Sequence, residues 1–223
     1  MLAPDGGDDD ERIERAFDSW PDDGSSRAVL ARTNVELVPA AAVAVEHGIA
    51  FRANSVRLPV EEPALDAILA AVVRESAAQP GLPLLVVIEQ VRADLLETDS
   101  IAACGAILGW APRYETALDL VAAVDQWRQR LAGLRDESAR LSLATAHAVK
   151  GLEFDHVLVL MDADRFPSRR ALDDASDPAR ALEEERRLAY VAWTRARRSL
   201  TLLYDPAAPS PFLLEAFDRR ELG

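Results

Sequence analysis

The chain has 223 residues, 49% of them hydrophobic and 28% charged, which fits one large globular domain or a domain with a substantial insertion. Its net charge of −13 argues against a free-standing nucleic-acid binder, because phosphate contacts call for a basic surface. No apolar run approaches the ~18 residues that span a bilayer. The acidic, Gly-rich start from Met1 to Glu11 has no apolar stretch to serve as a signal peptide. The single cysteine, Cys104, excludes an internal disulfide framework and a cysteine zinc site, and it suits a reducing, cytoplasmic setting.

The charge is unevenly spread. Asp and Glu crowd residues 5–23, whereas Arg clusters at 165–170, 186–187 and 195–198. Any DNA contact is therefore local, or shared with a partner domain. Most of these arginines read as solvated helix surface.

In chain order, residues 1–26 read as an acidic leader, partly disordered and ending in the polar run Pro21 to Ser26. Within it, Ile13, Ala16, Phe17 and Trp20 share one face of an amphipathic helix. Ala28 to Ala31 is a short apolar strand with Arg32-Thr33-Asn34 at its end. Residues 35–47 are Ala/Val-rich and helical, stopping at Gly48, and Ile49 to Val56 reads as a second strand. Residues 60–137 then read as an inserted, mostly α-helical subdomain, with helical runs over Glu61 to Ala78 and Tyr114 to Arg135. Leu141 to Thr145 is a strand, and Val157 to Met161 is a continuous apolar run of the kind a buried parallel strand shows. A Pro, Ser and Asp-rich loop covers 163–179. A helix over Glu183 to Ala196, a strand over Leu200 to Tyr204 and a short helix over Pro211 to Phe217 close the chain. Strands alternating with helices predict a parallel α/β sheet, built from residues 27–59 and 138–223.

Three segments carry chemistry. In the first, Ala28 to Asn34, Arg32 stands at the carboxyl end of an interior strand, where α/β proteins bind ligands. A salt-bridging arginine at a strand–helix junction would look the same. In the second, Thr145-Ala146-His147-Ala148-Val149-Lys150-Gly151-Leu152-Glu153-Phe154, a strand enters a turn that offers hydroxyl, imidazole, ammonium and carboxylate within nine residues. Gly151 supplies the backbone freedom such a turn needs. The third runs from Glu183 to Ala196. Acidic residues open this helix where its dipole favours them, Glu183 and Arg187 stand at i,i+4, and Leu188, Val191 and Ala192 are its expected buried stripe. Taken locally, it is an amphipathic helix with Arg195 near its end.

Together these segments resemble the UvrD/Rep/PcrA family of superfamily 1A DNA helicases. Thr145 to Phe154 is similar to helicase motif V, Glu183 to Ala196 to motif VI, and Val29 to Asn34 to motif IV. The resemblance implies the second RecA-like motor domain: an α/β fold of the P-loop NTPase type that lacks the P-loop, with residues 60–137 as a reduced accessory subdomain. In this family ATP with Mg²⁺ sits between two RecA-like domains. The first supplies the P-loop and the metal-binding acidic pair, and the second supplies arginines that reach the γ-phosphate. A guanidinium that meets the charge developing in phosphoryl transfer raises the rate by roughly 10³–10⁵. The resemblance assigns that catalytic role to Arg32 and Arg195. It assigns the nucleotide's ribose side to Glu153, and contact with single-stranded DNA to Thr145, His147 and Lys150. Arg187 and Tyr190 are expected to brace the helix. The expected partners are single-stranded or duplex DNA and a first, P-loop-bearing motor domain in cis or in trans, with no membrane.

The sequence departs from the family at Ser55-Val56-Arg57-Leu58, where relatives carry a Gly-Gly-x-x-Phe-like stretch, and at Trp193, where they carry a small or aliphatic residue. No Gly-x-x-x-x-Gly-Lys-Ser/Thr occurs in it, so the chain alone is predicted not to hydrolyse ATP and to bind no metal of its own. Two other readings stay open: a non-catalytic interaction module that keeps the fold, and an unrelated phosphate-handling enzyme using Asp162 and Asp164. The first has no need of Arg32, Glu153 and Arg195 together. The second needs a metal site for which the sequence offers no other ligands.

Overall fold

The computed structural model describes residues 2–4, 9–53, 56–95, 104, 105, 107–218, 220 and 222. They fall into two compact units, Met1–Val56 with Leu134–Gly223, and Arg57–Gly133.

The first unit is built on a six-stranded sheet in the order β1-β6-β5-β2-β4-β3. Its strands are β1 (Leu2–Pro4), β2 (Arg27–Ala31), β3 (Phe51–Arg52), β4 (Leu141–Thr145), β5 (Phe154–Leu160) and β6 (Ala196–Tyr204). Every neighbouring pair is parallel, the α/β arrangement expected from the alternation of strands and helices. The two central strands are the most continuously apolar, since parallel strands are covered on both faces. Ala28, Val29, Leu30, Val157, Leu158 and Val159 are all fully buried. Ser26 and Asp155 exchange hydrogen bonds at the amino ends of β2 and β5, Ser26 donating from N and Oγ (2.9 and 2.8 Å) and receiving one from the Asp155 amide (3.0 Å). These bonds fix the register that places Leu30 beside Val159.

Helices cover the sheet. Helix α1 (Asp9–Asp18) contacts α2 (Val38–Glu46), and Ile13, Ala16, Phe17 and Trp20 are buried, the face that helical spacing singles out in the acidic leader. Small residues Ala40, Ala41 and Ala44 bury on α2. Gly48 ends that helix at φ +67, a left-handed conformation that glycine adopts without steric cost. The strand expected over Ile49 to Val56 shrinks to Phe51 and Arg52. It pairs with the first two residues of β4, Phe51 also bridges to Arg135, and Asn54 and Ser55 lie outside the described residues. The loop expected over 163–179 contains α6 (Arg169–Asp173), capped by the Ser168 hydroxyl. Helix α7 (Pro178–Trp193) starts five residues before the expected Glu183, because Asp177 caps it and Pro178 fits its first turn. A short helix, Pro211–Ala216, ends the unit.

The second unit is helical and includes α5 (Ala117–Leu134), inside the run expected over Tyr114 to Arg135. Its α3 (Ala64–Ala78) starts after Pro63, later than the expected Glu61. It buries Leu65, Ile68, Leu69 and Val72 against α4 (Leu84–Ala93), the i, i+3, i+4, i+7 stripe of an amphipathic helix. Cys104 is fully buried beside the Ile88 carbonyl, and burial pushes its thiol pKa up. Among the described residues, no helix is long and apolar enough to cross a membrane.

Candidate functional site

Arg32 follows the last residue of β2, at the carboxyl edge of the sheet, where open parallel sheets place ligands. Its guanidinium is forked onto Glu185 of α7. Nε lies 2.9 and 2.8 Å from the two carboxylate oxygens, and Nη2 lies 2.7 Å from Oε1. The Glu185 side chain is only 4% exposed and that of Arg32 17%. Glu185 also accepts a hydrogen bond from the Ser168 amide at 2.9 Å, so one carboxylate joins the end of β2, helix α7 and the loop before α6. The backbone of the arginine is held too. Its amide donates to Glu36 Oε2 at 3.0 Å, and Thr33 Oγ1 donates to Glu36 Oε1 at 2.7 Å. Burial pushes the Glu36 pKa up, against the pull of these hydrogen bonds.

Sequence reasoning missed Glu185, reading the run Glu183 to Glu185 as an acidic helix opening. The structure turns Glu185 inward, on the same face as the fully buried Ala189 and Ala192. The expected stripe of Leu188, Val191 and Ala192 is therefore displaced. Ala189 and Ala192 bury in the core and Leu188 packs half-buried against it, while Leu188 and the half-buried Val191 line a cleft. The signal was present in the spacing of Glu185, Ala189 and Ala192, but a glutamate in an apolar stripe is discounted unless a cation is known to face it.

The turn from Thr145 to Glu153 runs beside α7. It continues the sheet for one bond, with the Ala146 amide on the Ala31 carbonyl at 2.9 Å, then folds back through Ala148 N to Thr145 O (2.9 Å) and Leu152 N to Val149 O (3.0 Å). Gly151 takes φ +86. The turn divides its polar groups between two concavities. His147 and Lys150 join Arg32, Glu184, Glu185 and Arg187 around a cleft of about 510 Å³. Thr145 instead lines a groove of about 290 Å³, with Asn34, Arg52 and Ser142. Desolvation, and then the positive charge of Arg32, lower the His147 pKa from its ordinary 6.5, while Glu185 pulls it the other way.

Arg195 sits beyond the end of α7 rather than in its last turn. Its Nε donates to the Val191 carbonyl at 2.9 Å and Nη1 to the Leu152 carbonyl at 3.1 Å. Its own carbonyl receives the Phe154 amide at 2.9 Å, so this arginine ties the end of α7 to the turn before β5. Glu153 pairs with Arg197 at 2.9 Å, both more than half exposed. Glu153 and Arg195 line neither concavity. Arg187, 74% exposed, pairs with Glu183 at 3.6 Å while facing the cleft. Tyr190 is 66% exposed.

Asp162, a metal-ligand candidate in the phosphate-handling alternative, is occupied by protein donors. Arg12 lies 3.3 Å away, Arg165 Nε 3.1 Å, and the Asp205 amide 2.5 Å. Among the described residues, no group of three or more His, Cys, Asp or Glu side chains could hold a metal ion.

Residues 114–206 match the family model of the UvrD-like helicase C-terminal domain. The chain is similar to DNA helicase II of Escherichia coli (strain K12), 49% identical over 65 residues that make up 29% of this chain and 8% of that protein. It is similar to DNA helicase II of Haemophilus influenzae, at 46% over 65 residues, 29% of this chain and 8% of that one. The ATP-dependent DNA helicase PcrA of Bacillus subtilis (strain 168) is 41% identical over 88 residues, 39% of this chain and 11% of that one. The chain thus covers about a tenth of the length of these curated relatives.

Proposed function

The chain contains a UvrD-like helicase C-terminal domain, and from that premise we propose that it is the second motor half of an ATP-dependent DNA helicase or translocase. The observation that carries this reading is the cleft at the carboxyl edge of the sheet, where Arg32 from the strand end, His147 and Lys150 from the turn, and Arg187 from α7 converge. Three full cations, Arg32, Lys150 and Arg187, outnumber the two carboxylates of Glu184 and Glu185 on the same wall, with the His147 imidazole beside them, and fit a phosphate-bearing ligand.

In this reading ATP, with its Mg²⁺, is held by a P-loop domain supplied in cis or in trans, since no P-loop sequence occurs among these 223 residues. The γ-phosphate is the group presented to this chain. Arg32, held by Glu185 at the middle of α7, and Arg195, just beyond its carboxyl end, neutralise the charge that develops during transfer, a contribution worth roughly 10³–10⁵ in rate. Glu153 accepts hydrogen bonds from the nucleotide's sugar. Thr145, His147 and Lys150 meet the single-stranded DNA backbone and report its presence to Arg32 through the turn they share. The units observed at Met1–Val56 with Leu134–Gly223 and at Arg57–Gly133 then correspond to the motor domain and its inserted helical subdomain, acting in the cytoplasm.

The test is DNA-stimulated ATP hydrolysis by the chain mixed with a P-loop motor domain of a UvrD-like helicase. Hydrolysis is expected from the mixture and not from the chain alone. Lys150 is the only lysine, and Lys150→Ala is expected to lower the DNA-stimulated rate more than the basal one. A demonstrated complex without ATPase would favour a non-catalytic interaction module. Equal loss of both rates in Lys150→Ala would move that lysine from the DNA side to the nucleotide.

A further inference from the structure

We infer that Glu185 is a positioning residue that aims Arg32 into the cleft, rather than a competitor that holds it away from ligand. The inference deepens the reading of Arg32 as a phosphate-sensing arginine and rests on it. Glu185 grips the guanidinium from the side, through Nε and Nη2. Nη1 makes no hydrogen bond among the described residues, and Arg32 lines the cleft with His147, Lys150 and Arg187. A guanidinium has five N–H donors in a planar fork, so a carboxylate on one edge leaves the other edge free for a second, bidentate acceptor.

Glu185 is itself restrained. Its side chain is 4% exposed, the Ser168 amide holds Oε2 at 2.9 Å, and its helix is anchored by the buried Ala189 and Ala192. Two torsionally restrained groups meeting in a fork fix the plane of the guanidinium as well as its position, and the orientation of a charged donor is what an incoming phosphate oxygen reads. The carboxylate also lowers the local positive charge. Arg32 is thus an oriented donor with part of its charge already balanced.

The prediction separates positioning from structural support. In the chain paired with a P-loop motor domain, Glu185→Gln keeps a hydrogen-bonding acceptor of the same size but loses the charge and the symmetric fork. Turnover of ATP with DNA present is expected to fall by up to about 100-fold, as for a reacting group displaced by roughly 1 Å. The KM for ATP is expected to stay near the wild-type value. Glu185→Asp, which keeps the charge, is expected to restore part of the rate.

The decisive comparison is Glu185→Gln in an Arg32→Ala background, where no buried cation is left unpaired. No further loss of turnover there supports the inference, because a positioning residue has nothing to position once Arg32 is gone. Losses that multiply would overturn it and make Glu185 a structural residue of α7, as would wild-type turnover from Glu185→Gln alone. Wild-type turnover from Arg32→Ala would instead sink the reading of Arg32 itself, whatever Glu185 does.

Discussion

Near the middle of α7 an arginine from another strand, Arg32, rests on the buried carboxylate of Glu185. Beyond the carboxyl end of α7, Arg195 rests on the carbonyls of Val191 and Leu152. The first arrangement balances a full charge with a full charge in a poorly solvated place. The second meets a charge with backbone dipoles near solvent, and Glu153, the nearest acid in the turn, is taken by Arg197. The same side chain is therefore used in two ways. Arg32 is oriented and partly neutralised, whereas Arg195 keeps its charge while its position is set by the backbone of two elements.

That contrast makes the Arg32–Glu185 pair the more sensitive to substitution. Glu185→Ala leaves a partly buried guanidinium without its counter-charge, and breaking a buried pair by removing one partner costs a few kcal/mol. A loss of about 3 kcal/mol in urea-unfolding free energy is expected. Arg195→Ala removes hydrogen bonds to carbonyls that water is able to replace, so about 1 kcal/mol is expected in the same measurement. Equal costs at the two arginine sites would break the comparison.

The smallest effect is electrostatic and is read at His147. Its pKa is lowered chiefly by desolvation and then by Arg32, with Glu185 opposing. Removing the cation in Arg32→Ala is therefore expected to raise the His147 pKa, and Glu185→Gln to lower it further, both followed by NMR titration of the imidazole. Because the folded-state pKa lies below the unfolded one, the unfolded chain binds the extra proton. Any stability linked to His147 is present above the ordinary histidine range and is lost as pH falls through it towards the lowered folded value. A His147 pKa indifferent to both substitutions would separate it from the Arg32 cluster.

The elements legible in the sequence were those whose pattern is local. The apolar runs Ala28 to Ala31, Leu141 to Thr145 and Val157 to Met161 all lie in or against the central sheet, and the parallel α/β class followed from their alternation with helices. The apolar face of α1 was visible inside an acidic stretch because its spacing is helical. Long-range partners were not legible. Whether Glu185 faces solvent or Arg32 depends on a partner 153 positions away in the chain. Nothing near Asp162 in sequence announces that Arg12 closes over it. The division of the motif V-like turn between two concavities was hidden for the same reason. Thr145 and His147 are two residues apart, yet one belongs to a sheet edge and the other to a turn against α7.

The central claim is that the two differently held arginines act on one phosphate. Its most direct test is DNA-stimulated ATP turnover in the complex with a P-loop motor domain, for Arg32→Ala, Arg195→Ala and the double variant. Each single substitution is expected to lower turnover by roughly 10³-fold or more. The double variant is expected to fall well short of the product of the two losses, as groups that act as a unit do. Losses that multiply, or a single variant that turns over like wild type, would contradict a phosphate shared by Arg32 and Arg195.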